Sequence, residues 1–220
     1  MSNASVILTW AEKLTELGDI PPARVRQHPA PGTATEADVL EVQATEGKLC
    51  ELVDRTLVEK AIGYAESVLA LVFAHLIRNY LVTNPLGIVA GADGTIRILG
   101  DTVRIPDVSF VSWERLPGRQ LPTEPIPALV PDLVIEVLSP TNTKQEMSRK
   151  RREYFHAGVR LVWMVDPRDT SIAVYTSPTD FQVLRDGDQI TGGIVLPGFT
   201  ADITAIFDEL QRQGPQAGEA

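Results

Sequence analysis

Two acids and a lysine have the types and spacing to do chemistry. Asp107 follows Pro106 at the start of DVSFVSW, Glu136 sits inside the apolar run LVIEVL, and Lys150 falls in the basic segment KQEMSRKRREYFHA. Alternate side chains of a strand share a face, so Glu136 lies with Asp132, Val134 and Leu138 while Leu133, Ile135 and Val137 take the other. Both faces are apolar enough to be buried. A carboxylate removed from water without a partner is costly or takes up a proton, so Glu136 calls for a cation, a hydrogen-bond donor or a metal ion.

Each residue also has a plainer reading. Glu136 could be half of a salt bridge or a core acid of raised pKa. Asp107 and Asp132, each after a proline, could be turn or strand-entry residues. Lys150 stands three residues after Met147 and four before Tyr154, beside the apolar stripe of its helix. It could run its stem along apolar surface to water, or deliver an ammonium group to the carboxylates or to a phosphate. The combination carries the argument: an acid opening one strand, an acid within another, and a lysine on the next helix. Magnesium or manganese needs only one or two carboxylates beside water and phosphate oxygens. Glu66, on the stripe of an upstream helix, is a candidate third acid, with pairing to an arginine as the alternative.

Other chemistries lack support. His28, His75 and His156 have no zinc-ligand spacing, Ser139 lacks a nucleophile-elbow context, and Gly91, Gly94 and Gly100 form neither a dinucleotide fingerprint nor a phosphate-binding loop. The net charge of −9 argues against a general nucleic-acid coat. Charge is uneven, however: Lys144 to Arg152 holds five basic residues against Glu146. Lys144, Arg149 and Arg152 are thus candidates for phosphate-backbone contact, with plain solvation as the alternative. The single cysteine, Cys50, fits a reducing compartment, so cytoplasm is the expectation. The first residues do not read as a signal peptide, and the longest apolar run, Val68 to Ala74, is too short to span a bilayer.

The elements that must position these groups follow from periodicity and turn residues. Residues 1–34, rich in proline, read as a short helix and an irregular arm; 35–213 as one domain; 214–220 as a disordered tail. Thr35 caps a short helix over Glu36 to Leu40, and Lys48 to Val58 holds two strands joined at Asp54-Arg55. Ala61 to Leu81 is helical, with Ile62, Leu69, Phe73, Leu76 and Tyr80 on one stripe. Asp93-Gly94 predicts a hairpin within Leu86 to Leu99, and strands follow at Val103 to Ile105 and Asp107 to Trp113. Five prolines make Leu116 to Pro131 a loop. Leu133 to Leu138, the helix Asn142 to Ala157 ending at Gly158, and Val159 to Val165 form a strand–helix–strand unit, and Ile172 to Tyr175 with Phe181 to Leu184 adds an edge hairpin. The expected fold class is α/β, a mixed sheet with helices on its faces.

The blocks RIPDVSFVS, PDLVIEVLSPTNT and KRREYFHAGVRLVWMVDP, with TEADVL, CELVDRTLVE and LPGFTADITAIF around them, resemble the Uma2 family of restriction endonucleases within the PD-(D/E)xK nuclease superfamily. The likeness runs from about Thr35 to Leu210. It implies a restriction-endonuclease-like fold and Mg2+- or Mn2+-dependent cleavage of nucleic acid, DNA first, in which Asp107 and Glu136 are catalytic metal ligands, with Glu66 as a candidate third ligand. The superfamily's usual lysine, two residues after the second acid, is replaced by Leu138, and Lys150 matches the position from which this family supplies it. Glu66 stands where relatives often carry histidine, and Arg55 where a turn glycine is common. Cutting both strands generally takes two sites, so a homodimer is expected. Two rival functions stay open: a non-catalytic binding module on the same fold, and a metal-dependent hydrolase of small phosphoesters.

Overall fold

In the computed structural model, residues 9–61 and 63–213 are described; Ile62 and the tail 214–220 lie outside the described residues, as do residues 1–8. The first helix, α1 (Trp10–Leu17), starts at Thr9, whose N–H and hydroxyl both donate to the Glu12 carboxylate, and stops at Gly18 with φ 98°. A Cβ on Gly18 would lie 2.7 Å from the Glu146 backbone, so the glycine lets the end of α1 press against a later helix. Next comes α2 (Glu36–Glu46), where Asp38 accepts from both the N–H and the hydroxyl of Thr35. It runs past the expected end at Leu40. Only Val39 and Val42 of this helix are buried, a stripe too narrow for sequence periodicity to follow to its terminator, Gly47.

Strands β1 (Cys50–Val53) and β2 (Thr56–Glu59) form the expected hairpin. Asp54 and Arg55 both take positive φ, 46° and 56°, the backbone of a two-residue hairpin turn even without glycine. The long helix α3 (Tyr64–Thr83) buries Leu69, Ala70, Phe73, Ile77 and Leu81, while Leu76 and Tyr80 of the expected stripe pack along its border. By length and mean hydropathy, 1.3, α3 could cross a membrane, but its stripe carries one face of the central sheet.

The hairpin expected at Asp93-Gly94 is not formed. The turn is present, with the Gly94 N–H donating to the Gly91 carbonyl, yet β3 (Gly87–Ala90) pairs with β6 (Val108–Ser112), and β4 (Ile96–Leu99) pairs with β5 (Thr102–Arg104) in a different sheet. The turn is a corner between sheets, because burial of Ile96 and Ile98 against the later helix decides where β4 goes. The chain continues through β7 (Leu133–Val137), α4 (Lys144–Ala157), β8 (Leu161–Asp166), β9 (Ser171–Tyr175), β10 (Phe181–Leu184), β11 (Gln189–Gly192), β12 (Leu196–Asp202) and α5 (Ile203–Asp208).

The central sheet has the order β10-β9-β8-β7-β6-β3 and is antiparallel except for β7 beside β8, the pair joined by the crossover helix α4. A four-stranded sheet, β2-β1-β5-β4, covers the far side of α4, and β11-β12 forms a separate ribbon. Leu133, Ile135, Val137 and Trp163 pack towards α3, α5 and β12, whereas Val134, Val162 and Met164 pack towards α4 and β4. Glu136 therefore projects into the layer between the two larger sheets.

Candidate active site

The side chain of Glu136 is almost fully enclosed, and both of its oxygens are engaged. Oε1 accepts from the Tyr154 hydroxyl at 2.5 Å, and Oε2 lies 3.5 Å from Lys150 Nζ. Tyr154 and Lys150 are four residues apart on α4, hence on one helix face. Lys150 Nζ also lies 2.9 Å from Glu51 Oε1 on β1, an oxygen that accepts the Ile105 N–H as well. Glu51 Oε2 sits 2.7 Å from Arg104 Nη1 on β5, and Arg104 reaches on to Glu153. Acid and base alternate along Glu136, Lys150, Glu51, Arg104 and Glu153. The first four are each at most 3% exposed.

Charge along this row is unequal. Burial pushes the Glu136 carboxyl up to about 7; Lys150 opposes the shift, while the fields of Asp107 and Glu51 add to it. Burial would raise Glu51 too, but Lys150 and Arg104 on either side hold it down to about 2. Burial works against the charge on Lys150, yet Glu136 and Glu51 keep its pKa above the ordinary lysine value. Lys150 is therefore a fixed cation at neutral pH.

Asp107 completes the group. Val108 pairs with Ile135 across the antiparallel β6–β7 ladder, so Asp107, one residue earlier, stands across from Glu136 on the same face. Its Oδ2 accepts the Val137 N–H at 2.7 Å, and its Oδ1 lies 2.8 Å from Lys60 Nζ. Unlike Glu136, Asp107 borders a cleft of about 230 Å³, shared with Lys60, Gly63, Glu66, Ser67 and Asp93. The three residues singled out in the sequence thus converge, with Asp107 at the opening and Glu136 and Lys150 behind it.

The other candidates fall in different places. Glu66 is half-buried on the cleft wall, and among the described residues no three His, Cys, Asp or Glu side chains form a group able to hold an ion. Lys144 is exposed at the first turn of α4. Arg149, expected to point outward, is half-buried and committed to partners in the protein: it pairs with Asp54 at 2.9 Å and Glu153 at 2.7 Å and donates to the Glu16 carbonyl. Arg152 is exposed and donates to the Ser148 hydroxyl. Asp132, the other Pro-Asp acid, ties Arg115, Arg160 and the Ser112 N–H together at the opposite end of β7 and is structural.

Glu51, Arg104, Tyr154 and Lys60 were not singled out from sequence. Glu51 carried a usable signal, since an acid inside the buried strand CELV poses the same problem as Glu136. Lys60 carried none, because its partner comes from a distant strand.

The donor set suits a hard divalent ion. Two acids stand opposite each other on adjacent strands, Asp107 opens to a cleft, and burial raises the pKa of Glu136 behind it. Asp107 already attracts a cation, the Lys60 ammonium.

A mixed sheet crossed by a helix, with two acids and a lysine gathered at the carboxyl end of its parallel pair, defines an α/β protein of restriction-endonuclease-like fold. A solved structure described as a putative nuclease belonging to DUF820, from Anabaena variabilis, superposes with a TM-score of 0.69 at 19% identity, covering 80% of this chain and 98% of that one. The chain belongs to the Uma2 family, whose model carries the description "putative restriction endonuclease" and matches residues 36–204. No curated protein matches it.

Proposed function

We propose that this protein is a metal-dependent endonuclease that hydrolyses nucleic-acid phosphodiester bonds, with DNA as substrate and Mg2+ or Mn2+ held by Asp107 and Glu136. The observation that carries this reading is the convergence of Asp107, Glu136 and Lys150, with Asp107 opening to a cleft. A bound divalent ion supplies a Lewis acid for a phosphate oxygen and lowers the pKa of a water molecule. Asp107, the group at the opening, would hold that ion where substrate reaches it from the cleft. Lys150 is enclosed beside Glu136 and Glu51, which favour its charged form; in this reading it fixes the orientation of Glu136 and offsets charge, acting as a positioning residue. Lys144 and Arg152, both exposed on α4, suit phosphate contact.

A homodimer in the cytoplasm would serve cleavage of two strands. Its support is the outer strand β10, which among the described residues pairs only with β9 and whose Phe181 and Val183 are exposed. One observation favours a non-catalytic module instead: Asp107, Glu136 and Lys150 each already have an ion-pair partner, in a protein of net charge −9. Incubation with supercoiled DNA, linear DNA, RNA and small phosphoesters, with Mg2+ or Mn2+ and with chelator, separates the readings. The proposal expects metal-dependent nicking lost in Asp107→Ala and Glu136→Gln. Equal rates in wild type and both variants, or turnover of the small phosphoesters alone, would contradict it.

A further inference from the structure

We infer that Lys60 is a resident counter-cation of Asp107, standing where a divalent ion binds, so that the protein's own ammonium competes with the ion and moves aside when it enters. This rests on the reading of Asp107 as a metal ligand. The geometry is that of a small cation site: Lys60 Nζ lies 2.8 Å from Asp107 Oδ1 and 2.8 Å from the Ala92 carbonyl oxygen. A carboxylate and a backbone carbonyl are the oxygen donors a hard cation selects. The side chain of Lys60 is only 5% exposed, so its charge is committed to these partners rather than to water.

What distinguishes Lys60 from Lys150 is a way out. Lys150 is packed between Glu51 and Glu136 inside the protein, whereas Lys60 lines the cleft. Its flexible four-carbon stem can swing there towards Glu66 or Asp93, acids on the same cleft wall. The arrangement gives the metal-free protein a satisfied Asp107, and it gives Glu66 a role as receiver of the displaced ammonium.

Manganese affinity measured by calorimetry in wild type, Lys60→Gln and Asp107→Asn tests this, since glutamine keeps a polar donor, one atom shorter, without the charge. Removing one competing cation should tighten binding about tenfold or more, as expected for a unit charge near the ion in a partly solvated site. A second readout uses the unaltered protein: amine labelling of Lys60, followed by mass spectrometry, should rise several-fold when Mn2+ is added. Asp107-dependent binding that is equal or weaker in Lys60→Gln, or labelling unchanged by Mn2+, overturns this inference and leaves the metal site standing. Absence of Asp107-dependent binding in every protein overturns both.

Discussion

The two faces of β7 carry opposite tasks. Towards α3, Leu133, Ile135 and Val137 meet Phe73 and Trp163, an interface without charge in which Phe73 and Trp163 pack at 6.0 Å between ring centroids. Towards α4, the same strand presents Glu136 to Lys150 and Tyr154 within a row of buried ions. Apolar burial stabilises at roughly 25 cal/mol per Å² whatever the precise partners. Buried ions do so only when every partner is present, and a paired buried ion is often no more stabilising than an apolar substitute. The α3 face therefore holds the fold, and the α4 face spends stability on placing charge next to a cleft.

That contrast can be broken most severely from the apolar side. Phe73→Ala should cost about 3–5 kcal/mol, a cavity effect read in urea unfolding, and the loss should be the same at all pH values where the protein is folded. A loss below about 1 kcal/mol would mean that the α3 face is not the main support.

On the other face, Lys150→Met should cost about 3 kcal/mol near pH 8, because Glu136 and Glu51 then lose their shared cation. Here the loss should shrink towards about pH 5 as Glu136 takes up a proton. A pH-independent loss would assign Lys150 to packing alone.

Glu136→Gln gives the smaller and most discriminating effect. A carboxyl whose native pKa is about 7 against an ordinary 4.5 binds more protons folded than unfolded. Its contribution is full below the ordinary value and is lost as pH rises towards about 7. With chelator present, wild type should therefore fall relative to Glu136→Gln by on the order of 2–3 kcal/mol between about pH 5 and pH 8. Glu51, shifted the other way, loses its contribution only as pH falls towards about 2, outside this window. Parallel stability curves for the two proteins would show that Glu136 is ionised and compensated throughout.

Local signals made much of this legible. The β7–α4–β8 unit, the β1–β2 turn and the edge hairpin follow from periodicity and turn residues, and Asp107, Glu136 and Lys150 are singled out by their combination, an acid opening one strand, an acid within another and a lysine on the next helix. What escaped was non-local. The Asp93-Gly94 turn has hairpin chemistry, but the burial of Ile96 and Ile98 sends β4 to another sheet. Arg149 looked outward on its own helix, yet α1 and the β1–β2 turn fold over it to supply Glu16 and Asp54. Lys60 acquires meaning only when β6 brings Asp107 beside the end of β2.

Diffraction from crystals soaked in saturating manganese tests the central claim most directly, through the anomalous signal. The account predicts one ion about 2.1 Å from carboxylate oxygens of both Asp107 and Glu136, with the Ala92 carbonyl oxygen and water filling its remaining positions. A site without an ion, in which Lys60 still pairs with Asp107, or an ion held elsewhere, would contradict it.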